Sequence, residues 1–220
     1  MKNLFVVGGS VGYSNWVMPL GFQLTNDIEK ADLFFFTGGE DVNPALYNQS
    51  VGRSTYFTGR DSVEKKYFEY ALNANKPMMG VCRGLQFLTV MAGGKLIQDM
   101  SHPGYHEFVT NTGERMYINS LHHQMALVDP SVTKLVEGED YELIAWTERL
   151  SKYHLDGRDL NYGFPADFKE PEVLFFPKIK AWGVQGHPEM LFDSSNRAGI
   201  DFKDTISFLQ NSLSDCLDLK

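Results

Sequence analysis

Four short apolar runs with glycine at or near their ends constrain this chain more than any other feature. They are residues 4–9 (LFVVGG), 31–41 (ADLFFFTGGED), 76–81 (KPMMGV) and 181–186 (AWGVQG). None alternates polar with apolar residues, so each suits a strand covered on both faces, as in a parallel sheet between helices. Stretches with helical spacing lie between them. RDSVEKKYFEYALNAN sets Val63, Tyr67, Tyr70 and Ala71 at helical intervals, with Asp61 or Ser62 as N-cap. RGLQFLTVMAGG sets Leu85, Leu88 and Ala92 on one face and ends in a glycine pair that can cap it. A last helix over roughly residues 197–217 aligns Phe202, Ile206, Leu209, Leu213 and Cys216. The alternation predicts an α/β domain with a mostly parallel sheet. MYINSLHHQMALVD and YELIAWTE read as strands of a small antiparallel extension. Residues 149–171 show no period and predict an insertion, either a surface loop or a lid.

A chain of 220 residues fits one large domain spanning 1–220. The net charge is −8 with no lysine- or arginine-rich block, which argues against nucleic acid as a partner. No apolar run approaches the ~20 residues of a membrane span. The N-terminus lacks the pattern of a secretion signal, and two cysteines suit a reducing compartment, so a cytoplasmic location is expected.

One of those cysteines stands in GVCRGLQ, with Gly80 and Gly84 two residues to either side of Cys82. It follows a strand and precedes a helix, where open α/β folds present their ligands. Close backbone packing there favours glycine, as in the G-x-S-x-G nucleophile elbow, with sulfur replacing oxygen. The helix N-terminus and a nearby histidine would both favour the thiolate. The backbone N–H of Arg83 would face an oxygen developing charge. The alternative is a small buried residue in a tight turn. Cys216, on the apolar stripe of the last helix, reads as packing.

A thiol nucleophile needs a base and the base an orienting group. QGHPEM supplies both, with Pro188 expected to keep His187 extended so that His187 and Glu189 share a face. In TGGED, Gly38 and Gly39 allow close approach of backbone to ligand, and a glycine N–H can be a second oxyanion donor; a turn followed by an Asn43-Pro44 cap fits the same residues. Two other readings are weaker. GGSVG lacks the dinucleotide-binding spacing. His102, His106, His122 and His123 offer metal donors, but Pro103 and Gly104 keep 102–106 from being helical, so no metal and no cofactor is expected.

Together FTGGEDVNPALY, RDSVE, KPMMGVCRGLQFLTVMAGGKLIQD, NSLHHQ and WGVQGHPE resemble the class I glutamine amidotransferase family, within it the γ-glutamyl hydrolase-like (peptidase C26-like) branch. The resemblance implies a flavodoxin-like three-layer sandwich that hydrolyses the γ-amide of glutamine or of a γ-glutamyl compound through a γ-glutamyl thioester. Cys82 would be the nucleophile, His187 the proton relay and Glu189 its orienting carboxylate. Gly39 and Arg83 would form the oxyanion hole, and Gln86 and His122 would contact substrate. A glutaminase subunit that feeds ammonia to a separate synthetase or ligase, and a catalytically silent binding subunit, are the alternatives. The chain departs from the family in three places: a short first strand-helix-strand unit, Gly186 where the branch often carries a bulky aromatic, and the insertion at 149–171. Within that insertion, Arg149, Lys152, His154 and Arg158 could meet an acidic substrate or simply be solvated.

Overall fold

The computed structural model describes every residue except 9, 103, 159, 193–195, 198, 199 and 220; Gly9 of the GGSVG stretch therefore lies outside the described residues. Strands β1 (Lys2–Val7), β2 (Phe22–Leu24), β3 (Leu33–Phe36), β4 (Met78–Val81), β5 (Tyr105–Thr110), β6 (Arg115–Asn119), β7 (Glu142–Glu148), β8 (Lys169–Phe176) and β9 (Ala181–Val184) form one sheet in the order β2-β1-β3-β4-β9-β8-β7-β5-β6. The first five in that order run parallel, and β8, β7, β5 and β6 extend them antiparallel. All four glycine-ended runs are strands of the parallel part.

Helices cover both faces. Phe34, Phe36 and Met78 pack with Phe68 and Ala71 of α1 (Thr58–Asn73) and with Leu85, Phe87 and Leu88 of α2 (Arg83–Met91). Their neighbours Leu33, Phe35, Met79 and Val81 pack on the other face, against Leu191 of α3 (Pro188–Phe192) and Ile206, Leu209 and Leu213 of α4 (Lys203–Cys216). Burial on both faces is why these strands show no polar alternation. The result is a three-layer α/β sandwich.

Several boundaries move. Helix α1 begins at Thr58, so Asp61 is not its cap; Asp61 and Glu64 are buried instead, while Val63 is exposed. Helix α4 begins at Lys203 rather than near 197, and Cys216 at its end is half-buried, its thiol pushed up to about 11 by burial. MYINSLHHQMALVD is not one strand. β6 ends at Asn119, and Met125–Leu127 pairs with Lys95–Ile97 in a separate small sheet. The first crossover is indeed reduced to 3-10 turns at Val11–Ser14 and Met18–Leu20, between which Trp16 is buried against Trp182.

The described residues of 149–171 include a paired strand and a packed aromatic cluster, while Lys152 and Arg158 stay exposed. His154–Leu155 pairs with Asp99–Met100, and Phe164 stacks on Phe168 with ring centroids 3.9 Å apart. Both phenylalanines join Ile97, Met100, Met125 and Leu127 in a small core of their own. His154 is fully buried against Glu170, which removes it from the side chains that could meet a substrate.

Candidate active site

Strands β3, β4 and β9 are adjacent, and their register aligns Phe36 with Gly80 and Val81 with Val184. Their carboxyl ends therefore release Thr37-Gly38-Gly39, Cys82 and Gln185-Gly186-His187 side by side. Residues that are far apart in the chain meet because the parallel sheet exposes all three ends at one edge.

Cys82 adopts φ 52 and ψ −109 between β4 and α2. Such a backbone is strained in a residue with a side chain, and strain of this kind is a hallmark of sites that aim one group outward. The flanking glycines are steric requirements of the elbow. A Cβ at Gly84 would stand 2.0 Å from the Phe36 carbonyl oxygen, and one at Gly80 would stand 2.4 Å from the Gly84 carbonyl carbon.

His187 bonds Glu189 through Nδ1 at 2.7 Å, and the Cys82 side chain lies near enough to act on the imidazole's charge. Helix α3 starts at Pro188, so the pair meets across a helix start rather than along extended chain. Burial works to lower the imidazole's pKa, but the bonds to Cys82 and Glu189 and their charges outweigh it and raise it to about 10. Because the folded value is raised, the linked stability is complete below the ordinary histidine value of 6.5 and fades as pH rises through about 10. In labelled-histidine NMR, the His187 ring should titrate near 10, and Glu189→Gln should move that midpoint down; an unchanged midpoint would show that Glu189 does not act on the ring.

The sequence reading missed the group that fixes His187. Asn119, at the end of β6, donates Nδ2 to the His187 carbonyl at 3.2 Å and accepts the His187 N–H on Oδ1 at 2.8 Å. Asn119→Ala should lower kcat by about 10²-fold with a small change in KM, because displaced catalytic groups lose rate more than binding. Steady-state kinetics on the folded variant checks this, and an unchanged kcat would rule the clamp out.

The glycine loop is fixed from behind. Arg60 donates to the Gly38 carbonyl at 2.9 Å and to the Thr37 carbonyl at 3.1 Å. Gly38 C=O and Gly39 N–H share one planar trans peptide, so holding the oxygen turns the N–H to the opposite side. Gly39 has φ 145, and a Cβ there would stand 2.0 Å from Arg60. Arg60 also bonds Glu64 at 2.8 Å and Glu40 at 2.9 Å. Glu64 and Asp61 in turn grip the buried Arg83 guanidinium. RDSVE is thus the strut between glycine loop and elbow. A reader who assigns Asp61 to a helix cap cannot see this.

Gly39, Glu40, Asp41, Thr55, Cys82, Gln86 and residues 121–124 line a pocket of about 300 Å³, at the small end of ligand sites. Gln86 is nearly buried and donates Nε2 to the Gln124 carbonyl at 2.8 Å. His122 donates Nδ1–H to the same carbonyl, 2.9 Å away, and burial takes its pKa down to about 3. It stays neutral at physiological pH. His123 pairs with Asp41 at 3.0 Å, which raises its pKa. Tyr13, from the first crossover, stands over His187 with ring centroids 6.1 Å apart. The sequence offered no signal for it. At Gly186 a Cβ would lie 2.5 Å from Ile118, which fills the space that a bulky aromatic would need. A larger groove of about 770 Å³ beside α4 holds Cys216 but none of these residues.

Fold and site together place the chain among class I glutamine amidotransferase-type domains. Its fold matches the structure of PurLQS from Thermotoga maritima over 98% of this chain and 97% of that one (TM-score 0.55, 14% identity). It likewise matches the glutaminase domain of Trypanosoma brucei CTPS with bound acivicin over 99% and 94% (TM-score 0.58, 10% identity). The Peptidase C26 family model matches residues 19–145, and the chain belongs to that family. Among curated relatives, the glutamine amidotransferase-like protein YvdE of Lactococcus lactis is 33% identical over 157 residues, 59% of this chain and 66% of that protein. Protein NtpR of Enterococcus hirae is 26% identical over 202 residues, 82% of this chain and 77% of its own. Among the described residues, no helix is long and apolar enough to cross a membrane.

Proposed function

We propose that the protein hydrolyses the γ-amide of glutamine or of a γ-glutamyl amine. The observation that carries this reading is the meeting of Cys82 and the Glu189-bonded His187 beyond the ends of adjacent strands, with Cys82 and Gly39 lining one pocket. Cys82 sulfur adds to the amide carbon, and the carbonyl oxygen takes the negative charge. The N–H of Arg83, first in α2 and without an intrahelical acceptor, and the N–H of Gly39 receive that oxygen. Donors of this kind contribute about 2.7–4 kcal/mol each to the transition state. The imidazolium of His187 protonates the leaving nitrogen, and the C–N bond breaks to leave a γ-glutamyl thioester. Neutral His187 then takes a proton from water, which attacks the thioester and releases glutamate and the thiol. Glu40 and Asp41 on the pocket wall suit the substrate's α-ammonium group, with Gln86 and His122 close by.

Two versions of this chemistry differ in who receives the ammonia. A free hydrolase releases it to water, whereas an amidotransferase subunit passes it to a synthetase. The fold match to the CTPS glutaminase domain motivates the second version. The test is product release from glutamine and a panel of γ-glutamyl amines by the purified protein, with and without candidate synthetases. Turnover that requires Cys82 supports the reading. Absence of turnover and of acyl-enzyme on every γ-glutamyl compound, alone and with partners, would overturn it in favour of a silent binding subunit.

A further inference from the structure

Behind His122, on the side away from the pocket, imidazoles and carboxylates are buried together. Glu170 and Glu172 lie two apart on β8 and so share one face; both side chains are 0% exposed. His102 Nε2 stands 3.2 Å from Glu170 Oε2 and 3.9 Å from Glu172 Oε1. His106 Nε2 lies 2.7 Å from Glu172 Oε1, and the two histidine rings are 4.0 Å apart. His154 Nε2 and Ser151 N–H occupy the other oxygen of Glu170, at 2.9 and 3.0 Å.

Two features set this cluster apart from a satisfied polar core. Among the described residues, the basic groups paired with Glu170 and Glu172 are all imidazoles, so two buried carboxylates have no permanent positive charge beside them. Buried anions without compensation are strongly unfavourable. Moreover, His102 Nε2, Glu170 Oε2 and Glu172 Oε2 are buried and lack hydrogen bonds, although other donors and acceptors crowd around them. One donor atom each from His102, His106 and Glu172 lies within 4.8 Å of the others. Four bonds of about 2.0–2.2 Å to a tetrahedral zinc ion put donors about 3.3 Å apart, and the contacts of 2.7, 3.2 and 3.9 Å bracket that edge.

We propose that His102, His106 and Glu172 bind a divalent first-row transition ion, with Zn²⁺ the fitting cation and the neighbouring Glu170 carboxylate balancing its second charge. Imidazole donors disfavour Mg²⁺ and Ca²⁺. For His106 to ligate through Nε2, any proton on that nitrogen, now beside Glu172 Oε1, has to leave it. The ion joins β5, β8 and the segment before β5. It also fixes the tautomer of His102, whose Nδ1 faces His122 Nε2 and Ser120 Oγ, each at 3.4 Å. The ion would then brace the pocket wall at His122 without touching substrate.

Cys82 and His187 could capture a thiophilic metal, so the test uses the Cys82→Ser protein. The chain is stripped with chelator, loaded with Zn²⁺ or Co²⁺, passed through a desalting column and analysed for metal, visible spectrum and melting temperature. Expected are one retained ion per chain, a four-coordinate Co²⁺ spectrum with no sulfur charge-transfer band, and a higher melting temperature. Affinity should fall by about 100-fold or more in His102→Gln and in Glu172→Gln, and it should persist in His123→Gln. Circular dichroism identifies any variant that fails to fold, in which case the spectrum of the unaltered ligand set decides. No retained ion, a sulfur-ligated or six-coordinate spectrum, or affinity undiminished in the folded His102 and Glu172 variants would overturn the proposal.

Discussion

Cys82→Gly is expected to lose turnover by about 10⁴-fold or more and to melt higher than the parent protein. The first effect follows from removing the sulfur proposed to form the thioester. The second follows from the backbone. At φ 52 and ψ −109, Cys82 occupies a conformation that costs a residue with a Cβ about 1–3 kcal/mol. Glycine adopts it freely and loses part of that gain, about 0.5–1 kcal/mol, to the larger entropy of its unfolded chain. A net stabilisation near ~1 kcal/mol corresponds to roughly 2–4 °C in a chain of this size. Cys82→Ser keeps the Cβ, so it should be equally inactive while melting near the parent. The comparison separates chemistry from strain. Retained turnover in either variant would refute the nucleophile, and a glycine variant that melts clearly lower would show that the elbow stores no strain. The expected pattern is that of a site whose geometry is maintained against local preference for the sake of activity.

This strain also explains what the sequence could convey. The elbow was legible because its demands are local: Gly80, Cys82 and Gly84 must stand at fixed intervals wherever a strand turns this sharply into a helix. The parallel strands were legible because burial on both faces leaves unbroken apolar runs such as LFFF. β5 and β8 were not, because their buried positions carry His106, Glu170 and Glu172. A polar residue in a buried strand looks like a loop until its partner across the sheet is known. The pairing of His187 with Glu189 was inferred from i, i+2 spacing in extended chain. It holds in the structure through a different backbone, a helix starting at Pro188. Asn119, Arg60 and Tyr13 reach the site from other elements, and no spacing in the sequence links them to residues 82 or 187. Contacts set by tertiary packing leave little local trace.

The largest stability effect is expected at Arg83, whose side chain takes no part in the proposed chemistry. Its guanidinium is 1% exposed and bonded to Asp61 Oδ1 at 2.5 Å and to Glu64 Oε2, with the Phe87 ring 5.9 Å beneath it. Arg83→Met keeps the backbone N–H proposed for the oxyanion hole and most of the apolar volume, but it takes from Asp61 its ion-pair partner and leaves the weaker pull of the Arg60 charge. Among the described residues, Glu64 keeps its pair with Arg60. Breaking a buried pair from one side costs about 3–5 kcal/mol, which is about 10 °C of melting temperature here. The pH dependence gives the cause. Burial already raises the Asp61 pKa, with the Arg83 charge pulling against it; without that charge the folded value rises further above the unfolded one. The resulting penalty is full at neutral pH and shrinks as pH falls toward the ordinary carboxylate range, because the protonated acid no longer needs a cation. Melting curves of parent and variant at neutral and mildly acidic pH should therefore converge on the acid side, and adding Asp61→Asn to the variant should recover much of the loss. A deficit below about 1 kcal/mol, or one that ignores pH, would mean that water reaches these carboxylates and that the strut between the glycine loop and the elbow does not rest on buried charge.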